Sequence, residues 1–166
     1  MRKELYNEIC NRLRRVYQLP DGSYFHLMDG FEVPEGAERV VKHIDLWNHN
    51  VEFIEQETSW ERPAVFVEFT PIRWKPIVEG VEYRAEPRIN LHVVTDWEGA
   101  ASDGSDFKEE ALEVFDLPEL LHESLVGLSG KKFLDLDLVE SQTNHNHEEI
   151  VENIEAYQCV AIKRLR

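Results

Sequence analysis

His145-Asn146-His147-Glu148-Glu149 gathers two imidazoles and two carboxylates within five residues, the side-chain types that ligate zinc or manganese. On a helix such ligands share a face at i and i+4, a spacing the two histidines do not have. A strand would put both imidazoles on one side, but the polar composition reads as a loop, so a solvated loop competes with a metal site. Asp135 and Asp137 alternate with leucines, and Asp96 falls near a strand end. Paired carboxylates suit acid–base chemistry, yet a sheet with one wet face produces the same alternation. Cys10 sits among Arg and Lys residues that would lower its pKa, with no positioned histidine in view. His43, His49 and His92 are scattered and read as packed or exposed. There is no G-x-S-x-G, phosphate-binding loop or G-x-G-x-x-G.

The elements that would position these residues follow from periodicity. Leu5, Ile9, Leu13 and Val16 or Tyr17 recur every three to four residues between charged ones, which predicts an amphipathic helix over residues 2–18, ended by Leu19-Pro20-Asp21-Gly22. Residues 20–38 read as an irregular excursion with a short hairpin near Tyr24–Leu27. Residues 42–46 alternate as a short strand, and 47–60 are ambiguous between a helical turn and an extended strap. Residues 64–69 are apolar on nearly every position, which predicts a strand buried between layers. Residues 88–95 form a second strand, with Ile89, Leu91 and Val93 facing one way and Asn90, His92 and Val94 the other. The link from Pro71 to Pro87 predicts a long, projecting β-hairpin arm.

Residues 97–106 read as a polar loop, with Ser105 or Asp106 as a cap for the helix that follows. The apolar face over 107–126 is interrupted by Pro118, which predicts two short helices with Asp116 capping the second. Residues 133–139 and 154–162 complete the strands. The expected fold is α+β: a single domain over 1–166, with a mixed, mostly antiparallel sheet, two helices on one face and the hairpin arm. Trp47, Trp60, Trp74 and Trp97 all fall in links, where they either lock links to the core or anchor a partner.

Charge adds a second pattern. The chain of 166 residues has 18 Lys and Arg against 33 Asp and Glu, a net charge of −15. With 42% hydrophobic residues it has the material for a core, and no apolar run reaches the ~20 residues that span a bilayer. The start, MRKELYNEIC, lacks a signal-peptide pattern, and two cysteines make no disulfide scaffold, so a cytoplasmic protein with free thiols is expected. The acidity argues against general nucleic-acid binding. Residues 1–18 carry +3 and 153–166 carry +2, while 19–60 carry −7, 95–127 carry −9 and 128–152 carry −4. Basic ends on an acidic body keep a domain soluble, and they also suit docking between copies of one chain.

The run VVKHIDLWNHNVEFIEQETSWERPAVFVEF, followed by IRW and INLHVVTD, resembles the tail terminator and tail completion proteins of long-tailed bacteriophages and their prophage copies. The order of features is similar too: a first helix, the PAVFVE strand, a long hairpin, the helix in ALEVFDLPELLHESLVGL, a strand, a histidine-containing loop and a final strand in IEAYQCVA. The likeness covers most of residues 1–163.

The resemblance implies a non-enzymatic protein without cofactors. Such proteins form a ring, commonly a hexamer, that caps the tail tube and meets the head–tail connector, in the host cytoplasm and then in the virion tail. It implies ring contacts through the hairpin arm (Ile72, Trp74, Ile77, Val81, Tyr83) and the basic first helix (Arg12, Arg15). Two readings from other classes compete with it. One is a metal-dependent hydrolase built on His145 and His147, and the other is an intracellular adaptor binding a partner through its aromatic links.

Overall fold

The computed structural model describes residues 1–48, 60–97, 101–144 and 149–165. The segment read as a turn or strap therefore lies largely outside the described residues, as does His145–Glu148.

Helix α1 spans Arg2–Leu13 and buries Leu5, Ile9, Cys10 and Leu13, the face that the sequence spacing marks out. It is shorter than the 2–18 helix expected. Val16–Gln18 leaves the helical path to form strand β1, which pairs antiparallel with β2 (Tyr24–His26) and β3 (Glu38–Arg39). Val16 keeps the helical spacing because it too points into the core, so the periodicity alone could not show the change of element. The Leu19–Gly22 stop signal is the turn of this hairpin: Gly22 adopts φ +86°, and the Asp21 carboxylate accepts the Ser23 amide at 2.9 Å.

The main sheet is organised around one long strand. β4 (His43–Leu46) runs parallel to β5 (Ala64–Phe69), and β5 pairs antiparallel with β8 (Arg88–Asp96). β8 then pairs with β10 (Ile150–Arg164). β7 (Glu82–Ala85) continues along the same edge of β10 beyond β8, and β6 (Lys75–Val78) closes the hairpin onto β7. β9 (Phe133–Asn144) lies along the opposite edge of β10. At about 3.3 Å per residue, β10 is roughly 45 Å long, and it ties the hairpin arm to the body of the sheet.

β5 is apolar on both faces because both are covered. Val65 and Val67 join Ile89, Leu91, Val93 and Tyr157 beneath α1 and α3. Ala64 and Phe66 face the other way, against Trp60, Val94 and Ile150. Each such side chain taken out of water contributes about 1.5–3 kcal/mol. The expected helix over 107–126 divides into α2 (Lys108–Leu112), a 3-10 turn (Glu113–Phe115) and α3 (Asp116–Leu125). Pro118 occupies the first turn of α3, where a missing N–H costs little. Asp116 is the first residue of α3 rather than its cap, and Phe107 rather than Ser105 or Asp106 takes the cap position of α2. The Asn153 amide on β10 donates to the Val114 carbonyl at 3.0 Å and pins this helical segment to the start of the strand.

The fold is thus α+β, with α1 and α3 on one face of a mostly antiparallel sheet. No described helix is long and apolar enough to cross a membrane.

Candidate functional site

The polar cluster with the closest geometry lies on the face of the sheet away from the helices, on positions that alternate out of three neighbouring strands. His92 of β8 places Nδ1 2.6 Å from Glu152 Oε1 on β10 and Nε2 3.0 Å from Glu68 Oε2 on β5. Asn90 donates to the same Glu68 oxygen at 2.9 Å, and Asn144 donates to Glu152 Oε2 at 3.1 Å. The Trp47 indole lies flat over the imidazole, with centroids 3.8 Å apart. His92 and Glu152 are buried, and Glu68 is half-buried.

Each ring nitrogen faces a carboxylate oxygen, so two ionised carboxylates require both nitrogens to carry protons. A neutral ring satisfies only one of them, and the other carboxylate must then hold the proton. Burial pushes the Glu68 carboxyl up, but hydrogen bonds from Asn90 and His92 and the imidazole's charge outweigh it and hold the group below its usual value. The carboxylates sit at opposite nitrogens and diverge, which suits a hydrogen-bonded bridge and does not suit three ligands on one ion. Among the described residues no group of three His, Cys, Asp or Glu side chains is arranged to hold a metal. The clefts at the two ends of the sheet are not lined by this cluster.

The other candidate chemistry disperses. His145 and His147 fall outside the described residues. Asp135 and Asp137 are both exposed, and Asp135 takes φ +55°, so the regular alternation that would pair them is broken there. Asp96 is paired with Arg62. Cys10 is buried, and desolvation raises its thiol pKa despite the hydrogen bond to Tyr6 and the nearby Arg14 charge, reversing the expectation of a thiol activated by cations. His43 packs against Trp60 and Phe66. Trp47 and Trp60 lock their links to the sheet, while Trp97 is exposed.

The residues expected at an interface separate into two places. Ile72 and Trp74 line a cleft of about 910 Å³ at the root of the hairpin. Ile77 and Val81 stand exposed toward the tip (55% and 47%), next to exposed Val78. Tyr83 is half-buried opposite Lys163 on β10. Arg12 and Arg15 are elsewhere, in a groove with His26 and Glu123, where Arg15 pairs with Asp29 at 2.5 Å.

Arg2, Lys131, Lys132, Lys163 and Arg164 line the same cleft as Trp74, together with the acid Glu82. Sequence reasoning missed this grouping, because Lys131 and Lys132 sit within a segment whose sum is negative. A second cleft, of about 390 Å³, lies where β8 ends and β10 begins. It is lined by Glu38, Asp96, Glu110, Glu113 and Asp116, with Arg39 and Lys42. The molecule is therefore basic at one end of β10 and acidic at the other.

No protein-family model and no curated protein matches this chain.

Proposed function

We propose that this chain is a structural subunit that assembles with copies of itself, of the kind that forms a ring on the tail tube of a long-tailed bacteriophage and meets the head connector. The observation that carries this reading is the hairpin. Ile77, Val78 and Val81 are about half exposed on a ribbon that β7 anchors to β10 by regular pairing. A protein does not gain by holding a row of apolar side chains in water on an ordered ribbon, whereas a partner that covers them recovers their burial energy. The separation of charge along β10 supports the same reading, since opposite ends can meet only between different copies. The resemblance in the PAVFVE and INLHVVTD strands supplies the phage context. The His92 cluster then serves to fix Trp47 and the three strands beneath it.

Sedimentation velocity over a broad concentration range, alone and with tail-tube subunits, tests the proposal. Concentration-dependent assembly, or assembly nucleated by the tube, is expected. A strict monomer that also fails to bind the tube would overturn it.

A further inference from the structure

We infer that the basic cleft at the root of the hairpin receives the acidic helical ridge of a second copy of this chain, in a head-to-tail contact. The inference rests on the self-assembly proposed above and names the two surfaces that would make it.

The receiving surface is built from three parts of the chain: Arg2 at the start of α1, Lys131 and Lys132 before β9, and Lys163 and Arg164 at the end of β10. Arg164 bonds Glu82 at 3.3 Å. Arg2, Lys131, Lys132 and Lys163 make no ion pair among the described residues, so like charges crowd one concavity and favour an anionic occupant. Trp74, Ile72 and Ile162 supply apolar wall between them.

The complementary surface is the segment from α2 into α3. Glu109, Glu110, Glu113, Asp116 and Glu119 have no ion pair among the described residues, and Phe107 and Phe115 stand exposed beside them (61% and 44%). Acid and aromatic on the ridge thus match base and apolar wall in the cleft. One copy cannot bring them together. The ridge is tied by Val114 to Asn153, near the start of β10, and the cleft includes Lys163, ten residues on, roughly 33 Å away along an extended strand. Two different patches on one molecule make a heterologous contact, the kind that repeats around a ring or along a filament. Nucleic acid is the other polyanion of matching sign, but the net charge of −15 opposes its approach to the chain as a whole.

The contact is tested by charge reversal with exchange. Lys131→Glu/Lys132→Glu/Lys163→Glu alters the cleft, and Glu110→Lys/Glu113→Lys alters the ridge; all five side chains are exposed, and circular dichroism checks that each variant folds. Each variant alone is expected to self-associate at least about tenfold more weakly than the unaltered chain. An equimolar mixture is expected to recover association, because each altered surface then meets its altered complement. If the unaltered chain assembles and the variants assemble equally well, the docking inference is overturned while self-assembly stands. If the unaltered chain is monomeric with and without tail-tube subunits, both are overturned. Titration with a short DNA duplex supplies the last arm: DNA binding lost in the cleft variant, with self-association unchanged, would assign the cleft to a polyanion and overturn the inference.

Discussion

The Trp47 indole and the His92 imidazole lie within 4° of parallel at 3.8 Å, so the first tryptophan after β4 roofs a histidine held between two carboxylates. The stack covers the imidazole on the face of the sheet away from the helices, where His92 and Glu152 are buried. Such a group is stable only when every member is satisfied.

Removing the histidine therefore strands a buried charge. His92→Ala is expected to destabilise the fold by about 3–5 kcal/mol in urea unfolding, because among the described residues Glu152 then keeps only the Asn144 side chain as a hydrogen-bond partner. The double change His92→Leu/Glu152→Leu should recover much of that loss, since the buried carboxylate goes with its partner and the half-exposed Glu68 keeps Asn90 and solvent. A single variant as stable as the parent would show that the bridge does not bear on folding.

Acid should weaken the same face. The Glu68 carboxyl is held below its usual 4.5 in the folded chain, so the unfolded chain binds the proton first as pH falls. The stabilisation is complete above 4.5 and is lost as pH drops through the folded value. Comparing Glu68→Gln with the parent, the stability difference should shrink steadily below pH 4.5; a difference constant down to pH 2 contradicts the assignment.

Alkali acts through different groups. Burial pushes the Cys159 thiol from 9.0 up to about 11, and burial, with the hydrogen bond to Cys10, pushes the Tyr6 phenol from 10.0 up to about 12. For both, the unfolded chain loses the proton first, so stability is full below pH 9 and declines from pH 9 to 12. Cys159→Ala should flatten the part of that decline between 9 and 11, measured by thermal unfolding in the absence of oxidant. An unchanged slope would remove Cys159 as its source.

Gly130 tests how tightly the first helix is docked. A Cβ there would lie 2.5 Å from a ring carbon of Phe133 and 2.8 Å from a carboxylate oxygen of Glu4, which accepts the Lys131 amide at 2.6 Å. Phe133 is fully buried and cannot swing away. Gly130→Ala is expected to cost about 1–3 kcal/mol by chemical denaturation, although nothing in its φ demands glycine.

The hairpin should behave in the opposite way. Ile77→Asp/Val81→Asp changes side chains that are already wet, so monomer stability should stay within about 0.5 kcal/mol. Self-association by sedimentation should fall sharply. Unchanged assembly would mean that the apolar ribbon is not a contact.

The strands with strong local patterns were legible from the chain alone. Val65 and Val67 against Ala64 and Phe66, and Ile89, Leu91 and Val93 against Asn90 and His92, divide onto two faces as alternation requires. The break at Pro118 was legible for an equally local reason. The length of α1 was not. Val16 points into the core from either a helix or a strand, and only pairing with Tyr24–His26 and Glu38–Arg39 decides between them.

The sequence by itself determined which residues are apolar on which face, where the chain turns, and how much charge each segment carries, because these depend on neighbours a few residues away. It placed His92 on the face with Asn90 but could not say that Glu68 and Glu152 flank it, since those residues lie 24 and 60 positions away. It marked the first helix as basic but could not say that Arg2 meets Lys131, Lys132 and Lys163 at the hairpin root while Arg12 and Arg15 lie in a separate groove. Strand register decided both outcomes, because long-range pairing turns separate signs along the chain into two opposed ends of one strand.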